Sequence, residues 1–474
     1  MPYQLFNNSS KLKLFKLIKR REDNYYICGR KETEIYISTS EIGYQIIRLI
    51  EQGYKVSEIK KSIYKKYGSY NVDRFINYLI EQGYVDKINN KKLKEKIKKI
   101  RPILKFVDPK YIKWLFSKPM YLTYLIIFFS SFFILIFNPS YFPVRTDYFI
   151  SQRFIILLPI IFIVSWVLVL LHELMHFFAA KSHNLPAEIG VSNRLFYLVV
   201  STDITSMYAL KRENRFRIIL AGVFTDIIVL SIAVILLFLN NQNLIHFSIL
   251  FYNTLKFVVL AEFLGVLWQF LFFLRTDIYY TIENLVKVYN LHEKTDLFVK
   301  NEFYKLFFKH HHSSHFENKN EKNIVHVYSI LFLVGIFILF YNFFYYYIPI
   351  TLELISSSLK NIYTGIIQNN YLLFYDSMIF VIFFLIHYTF LVYGIIRHNR
   401  LYLRPKLYYL ALFSLITSTY SIVFGLILTS FFVLNKLYNF YIFIFLLAIL
   451  FGAFISYLIR RLDSFAKEEL YTPE

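Results

Sequence analysis

Cysteine occurs once in the 474 residues, at Cys28. One thiol forms no intrachain disulfide and builds no cysteine metal cluster. Charge is also scarce. Lys, Arg, Asp and Glu make up 18% of the chain, against about 25% in soluble globular proteins. The opening MPYQLFNNSSKLKLFKLIKRR lacks an apolar h-region, so no signal peptide is expected there. Apolar residues fill the chain instead, at 56% hydrophobic and 20% aromatic. Several runs reach the roughly 20 residues that cross a bilayer. The expected class is a polytopic α-helical membrane protein. The net charge of +21 is then read as basic cytoplasmic loops and a juxtamembrane stretch facing anionic lipid, and a nucleic-acid partner is not expected.

The first 90 residues are charged and amphipathic, unlike the rest. DNYYICGRKETEIYIST alternates enough for one or two short strands. Three short helices follow, near 40–52, 57–67 and 72–82. Ser40, Ser57 and Asn71 stand at their starts, and Gly53, Gly68 and Gly83 at their stops. LIEQGY occurs at 49–54 and again at 79–84, read as two similar helix ends. YVDKI then returns as a strand. This is the pattern of a small winged-helix-like soluble domain over 1–90. NNKKLKEKIKKIRPILKF is expected to be a basic amphipathic helix, so 91–119 is taken as a linker to the membrane.

Eight spans are expected, at about 120–137, 154–180, 218–239, 247–274, 325–349, 376–397, 408–434 and 438–459. Lys and Arg crowd every second connection, which places both termini in the cytoplasm of a multi-pass cell-membrane protein. The segments 138–153, 240–246, 350–375 and 435–437 are read as outer loops. The remaining divisions are a membrane core over 120–290, a cytoplasmic His-rich loop over 291–323 and C-terminal spans over 324–474. KHHHSSHF, 309–316, is read as part of that solvated loop rather than a second metal site. AEIGVSNRLFYLVVSTDITSMYAL, 187–210, is rich in β-formers and is expected to form a membrane-associated β-hairpin.

The second span ends in LHELMHFFAAK, 171–181. A carboxylate in mid-membrane costs about 2.5–3.5 kcal/mol on insertion scales, so it asks for a partner. His172 and His176 lie four apart and share one helix face. Both can ligate one Zn²⁺, with Glu173 beside them as general base toward a water. A catalytic zinc takes a third protein ligand. Asp226, Glu262, Asp277, Asp203 and Glu188 are candidates, and depth in the membrane puts Asp277 ahead. Ser192, Asn193, Ser201 and Thr202 are candidates for holding substrate or water.

HELMH, the strand-like segment after it, NRFRIILAGVFTD at 214–226 and LRTDIYYTIENL at 274–285 together resemble the site-2-protease class of membrane zinc metallopeptidases. The closer likeness is to the peptide zinc metalloprotease branch. The resemblance implies that His172, His176 and Asp277 bind zinc and that Glu173 is the base. The family's Gly after the aspartate is Ile278 here, and the proline of the broader family's motif is missing. The N-terminal pattern is similar to PqqD-type peptide-recognition domains, which implies a grip on a leader peptide. The implied function is an intramembrane zinc endopeptidase, cutting near the cytoplasmic face in the maturation of a ribosomally made peptide. A membrane-protein substrate, an ABC exporter or a peptide-modifying enzyme would be its partner. The competing readings are a catalytically inactive homologue serving peptide export or immunity, and a membrane-tethered DNA-binding regulator.

Overall fold

A computed structural model describes residues 6–398, apart from 23–24, 31–34, 94–107, 195–196, 289 and 309–318. The N-terminal part holds β1 (Leu12–Leu14), β2 (Ile18–Glu22), β3 (Tyr25–Arg30) and β4 (Ile35–Thr39). Then come α1 (Glu41–Glu51), α2 (Val56–Tyr67), α3 (Val72–Glu81), β5 (Val85–Ile88) and β6 (Lys91–Lys92). Two antiparallel three-stranded sheets form, in orders β1-β5-β6 and β2-β3-β4. Ile46, Ile50, Ile59, Ile76 and Leu79 recur on the inner helix faces and are buried there, with Cys28 from β3. Burial pushes the Cys28 thiol up to about 12, which keeps it protonated and inert at neutral pH. The three helices stand where their glycine stops put them. Gly53 and Gly83 adopt φ of +82° and +75°, a left-handed turn that side chains resist.

The strands expected within 23–39 are β3 and β4, and β1 and β2 precede them. Two expectations change here. Helix α2 starts ahead of Ser57, with Lys55 at its cap and the Lys55 N–H donating to Glu58 at 2.7 Å. The Val56 and Ser57 amides donate to Ser10 and Asn8 carbonyls, so the chain's own first segment does the capping. The basic linker helix does not begin at Asn89. Asn89 and Asn90 take positive φ and turn the chain into β6. The rest of that expected helix, 94–106, lies outside the described residues.

A short helix α4 (Pro109–Ile112) leads to α5 (Lys118–Phe137) and α6 (Phe154–Ser182). A hairpin of β7 (Glu188–Arg194) and β8 (Tyr197–Asp203) follows, paired antiparallel with Ile189 opposite Thr202. Next come α7 (Arg212–Ile219), α8 (Ala221–Asn241), α9 (Ile249–Gln269), α10 (Asp277–Val286), α11 (Leu291–Phe308) and α12 (Lys319–Asn342). A π-helical turn, Phe343–Tyr347, joins α12 to α13 (Ile348–Ile367), and α14 (Tyr371–His398) closes the described chain. Among the described residues, five helical segments are long and apolar enough to cross a membrane: α5, α6, α8, α9 and Lys319–Ile367. The expected span at 376–397 falls within α14. Those at 408–434 and 438–459 lie outside the described residues, as does the whole 309–316 histidine tract.

The segment 350–375 is not a loop. It is helical to Ile367, because Ile350, Leu354, Ser358 and Ile362 repeat every four residues and bury one face. That stripe packs with Leu157 of α6 and Phe380 of α14. Helix α6 starts at Phe154 because Asp376 of α14 accepts the Phe154 and Ile155 amides at 2.8 and 2.7 Å.

Candidate metal and hydrolytic site

Helices α6 and α9 end, and α8 begins, at the same side of the bundle. His172 and His176 are ten and six residues from the end of α6, or roughly 15 and 9 Å along its axis. Asp277 opens α10, eight residues beyond the end of α9. The turn between them is fixed by a side chain. Thr276 Oγ1 donates to the Gln269 carbonyl at 2.7 Å, and the Asp277 N–H donates to Gln269 Oε1 at 3.1 Å.

His172 Nε2, His176 Nε2 and Asp277 Oδ2 then form a triangle with sides of 3.1, 3.2 and 3.2 Å. The outer ring nitrogens decide what those inner atoms are. His176 Nδ1 lies 2.8 Å from the Ile218 carbonyl, so it must donate. His172 Nδ1 lies 2.9 Å from both Asp226 carboxylate oxygens, and donates there. In neutral imidazoles both Nε2 atoms are therefore bare acceptors. Three lone-pair donors face one point with no hydrogen between them. They repel unless a cation sits among them. Tetrahedral ligands about 2.0–2.1 Å from a zinc-sized ion stand roughly 3.3 Å apart, close to the triangle seen here.

Glu173 is held by β8. Its Oε2 accepts the Thr202 N–H at 2.7 Å, and its carbonyl accepts the Thr202 hydroxyl at 2.9 Å. Since the Thr202 amide is used there, it points away from β7. By the two-residue period of a strand, the Val200 N–H and C=O face the same outer side of β8. A cavity of about 290 Å³ opens beside this edge, lined among others by Glu173, His176, Thr202, Met207, Tyr208 and Asp277.

Among the four candidate substrate-contact residues, Ser201 and Thr202 line that cavity. The Ser192 and Asn193 backbone pairs with Val199 and Leu198, three and four residues up β8 from Thr202 and so about 10 Å or more along the strand toward the turn. The other ligand candidates separate cleanly. Asp226 orients His172 and is not in the triangle. Glu262 is buried at 4% exposure in α9 and is not in the triangle. Asp203 lines the cavity and accepts the Thr205 N–H at 3.0 Å. Glu188 pairs with Asp203 across the hairpin. Ile278 packs with the Phe272 and Tyr279 cluster and does not line the cavity.

Gly222, Gln269 and the Ile218 carbonyl were not legible as parts of the site. A Cβ at position 222 would stand 2.4 Å from His172 Nε2 and 2.5 Å from His176 Nε2. Only glycine lets α8 come that close. The one sequence signal was a glycine within ILAGVFTD, four residues before Asp226. No family model, curated protein or solved structure matches the chain.

Proposed function

We propose that this chain is a membrane zinc endopeptidase, with His172, His176 and Asp277 as metal ligands and Glu173 as general acid and base. The convergence of two bare imidazole nitrogens and one carboxylate oxygen carries the reading. Zinc held there would polarise a scissile carbonyl and bring a water's pKa down to about 7. Glu173, one residue from the first ligand, takes the proton from the attacking water and hands it to the leaving amine. The amide–carbon bond breaks, and carboxylate and amine leave as separate ends.

A substrate must be extended to expose its carbonyls. The outer edge of β8 offers Val200 and Thr202 main-chain groups for that pairing, which tolerates varied side chains. Strand pairing there would compete with Glu173 for the Thr202 amide, freeing the carboxylate as substrate seats. In this proposal the site opens near the cytoplasmic face, with both termini inside. The N-terminal domain is then a winged-helix-like, PqqD-like grip for a peptide undergoing maturation, and an exporter or modifying enzyme is its partner.

The test is cleavage of extended peptides by the purified, zinc-loaded protein beside its Glu173→Gln variant. The variant should retain zinc and lose about 10²–10⁴-fold in rate. Equal cleavage by both proteins would sink the hydrolytic role of Glu173.

A further inference from the structure

Arg215 is the largest side chain that is fully buried among the described residues. It sits on α7, outside the triad, and its partners come from two directions. On one side is Glu22, the last residue of β2 in the N-terminal domain. The Arg215 guanidinium donates to both Glu22 oxygens, at 3.2 Å to Oε2 and closer to Oε1. Arg212 donates to the same carboxylate at 2.9 Å and to the Tyr25 hydroxyl at 2.8 Å. On the other side Arg215 donates to the Leu210 carbonyl at 2.9 Å and the Tyr208 carbonyl at 3.4 Å. Its guanidinium also lies 5.2 Å from the Tyr208 ring centre. Tyr208 lines the catalytic cavity, and β4 packs on the same turn, Thr205–Ala209.

One helical turn beyond Arg215 is Ile218, whose carbonyl receives His176 Nδ1–H. Ile219 lines the cavity, and Gly222 follows against both histidine rings. The other end of α7 is tied as well, since Asn284 Nδ2 donates to the Arg212 carbonyl at 3.0 Å. Asn284 belongs to α10, the helix that Asp277 opens.

We propose that the N-terminal domain is a working part of the metal centre: Glu22 clamps Arg215, and Arg215 sets the position of α7 and so the Ile218 carbonyl that orients His176. Glu22 and Arg215 are positioning residues, touching neither metal nor substrate. The clamp also holds the Tyr208 wall of the cavity. Whatever the N-terminal domain binds is therefore reported to the site through the buried Glu22 carboxylate and the two α7 arginines it holds. The inference rests on the metal-site reading, and it names the regulator of that site.

Full-length protein in detergent tests it, with Glu22→Ala, the isosteric Glu22→Gln and Arg215→Lys beside the wild type. Hydrogen exchange over 205–219 is measured without metal, and zinc affinity by competition with a chelator. The expected result is exchange at least tenfold faster over 205–219 in Glu22→Ala and zinc affinity about tenfold weaker, with Glu22→Gln between. Cobalt-loaded variants should show shifted visible bands as the His176 ring turns. If Glu22→Ala fails to fold, Glu22→Gln and Arg215→Lys decide by the same readouts. Unchanged exchange over 205–219 in folded variants overturns the clamp. If the wild type takes up no zinc, the proposed function falls, and the exchange measurement still decides the clamp.

Discussion

Gly222 shows how much of the site depends on an atom that is not there. Helix α8 comes against His172 and His176 only because position 222 carries no Cβ. Gly222→Ala should therefore push α8 away or turn both rings, and the protein should lose stoichiometric zinc. The helix itself should be no weaker, since Ala is the better helix former by about 1 kcal/mol. Zinc analysis beside a thermal melt checks this, and full zinc retention in a folded Gly222→Ala would contradict the geometry. At this scale HELMH was legible, because two histidines four apart share a helix face whatever surrounds them. Asp277 was reached by depth and by a motif. Of the orienting groups, Asp226 was a candidate from the sequence, while Gln269 and the Ile218 carbonyl were not legible. Those two matter through contacts that span 8 and 42 residues, and local spacing carries no record of such contacts.

Helix α6 is the element on which the site is built, and its two ends are held differently. The end near the site is buried by Phe177, Ala179 and Ala180 against Ile218 and Ile219. The far end is capped by Asp376, which accepts two main-chain amides from 222 and 221 residues away. Charge-assisted bonds to buried donors contribute about 1.5–3 kcal/mol each. Asp376→Ala should cost about 2–4 kcal/mol of stability and lower the melting temperature by several degrees. His172 is 18 residues, or roughly 27 Å, from that cap, so zinc affinity should stay within about twofold. A large loss of zinc affinity would show that the far end does not act independently of the site. Elements with a clear period were legible, including α1 to α3 with their glycine stops and the apolar spans. Helix α13 was mistaken for a loop because its hydroxyls and charges lower its apolarity. Its four-residue stripe forms a helix only with α6 and α14 to pack against. The repeat LIEQGY makes the same point: Tyr54 is 46% exposed and Tyr84 fully buried, its hydroxyl donating to the Ile35 carbonyl at 2.8 Å.

Over the whole molecule, a charged N-terminal domain stands on a helical body with five membrane-length segments among the described residues. The contact between the N-terminal strands and the helical body was not visible in the sequence, because Glu22 and Arg215 lie 193 residues apart and each looks like an ordinary surface charge. Burial changes their meaning. Removing one partner of a buried ion pair costs about 3–5 kcal/mol, since the other is left desolvated and alone. The fold keeps that pair where the N-terminal domain meets the cavity wall. Everything functional assigned here still depends on a metal in the triangle. The most direct measurement is zinc content with X-ray absorption at the zinc edge, on the wild type and on His176→Ala and Asp277→Ala. The account predicts about one zinc per chain, with scattering from two imidazoles and a carboxylate, and loss of that zinc in both variants. Wild-type protein without stoichiometric zinc, or zinc unchanged in both variants, would contradict it.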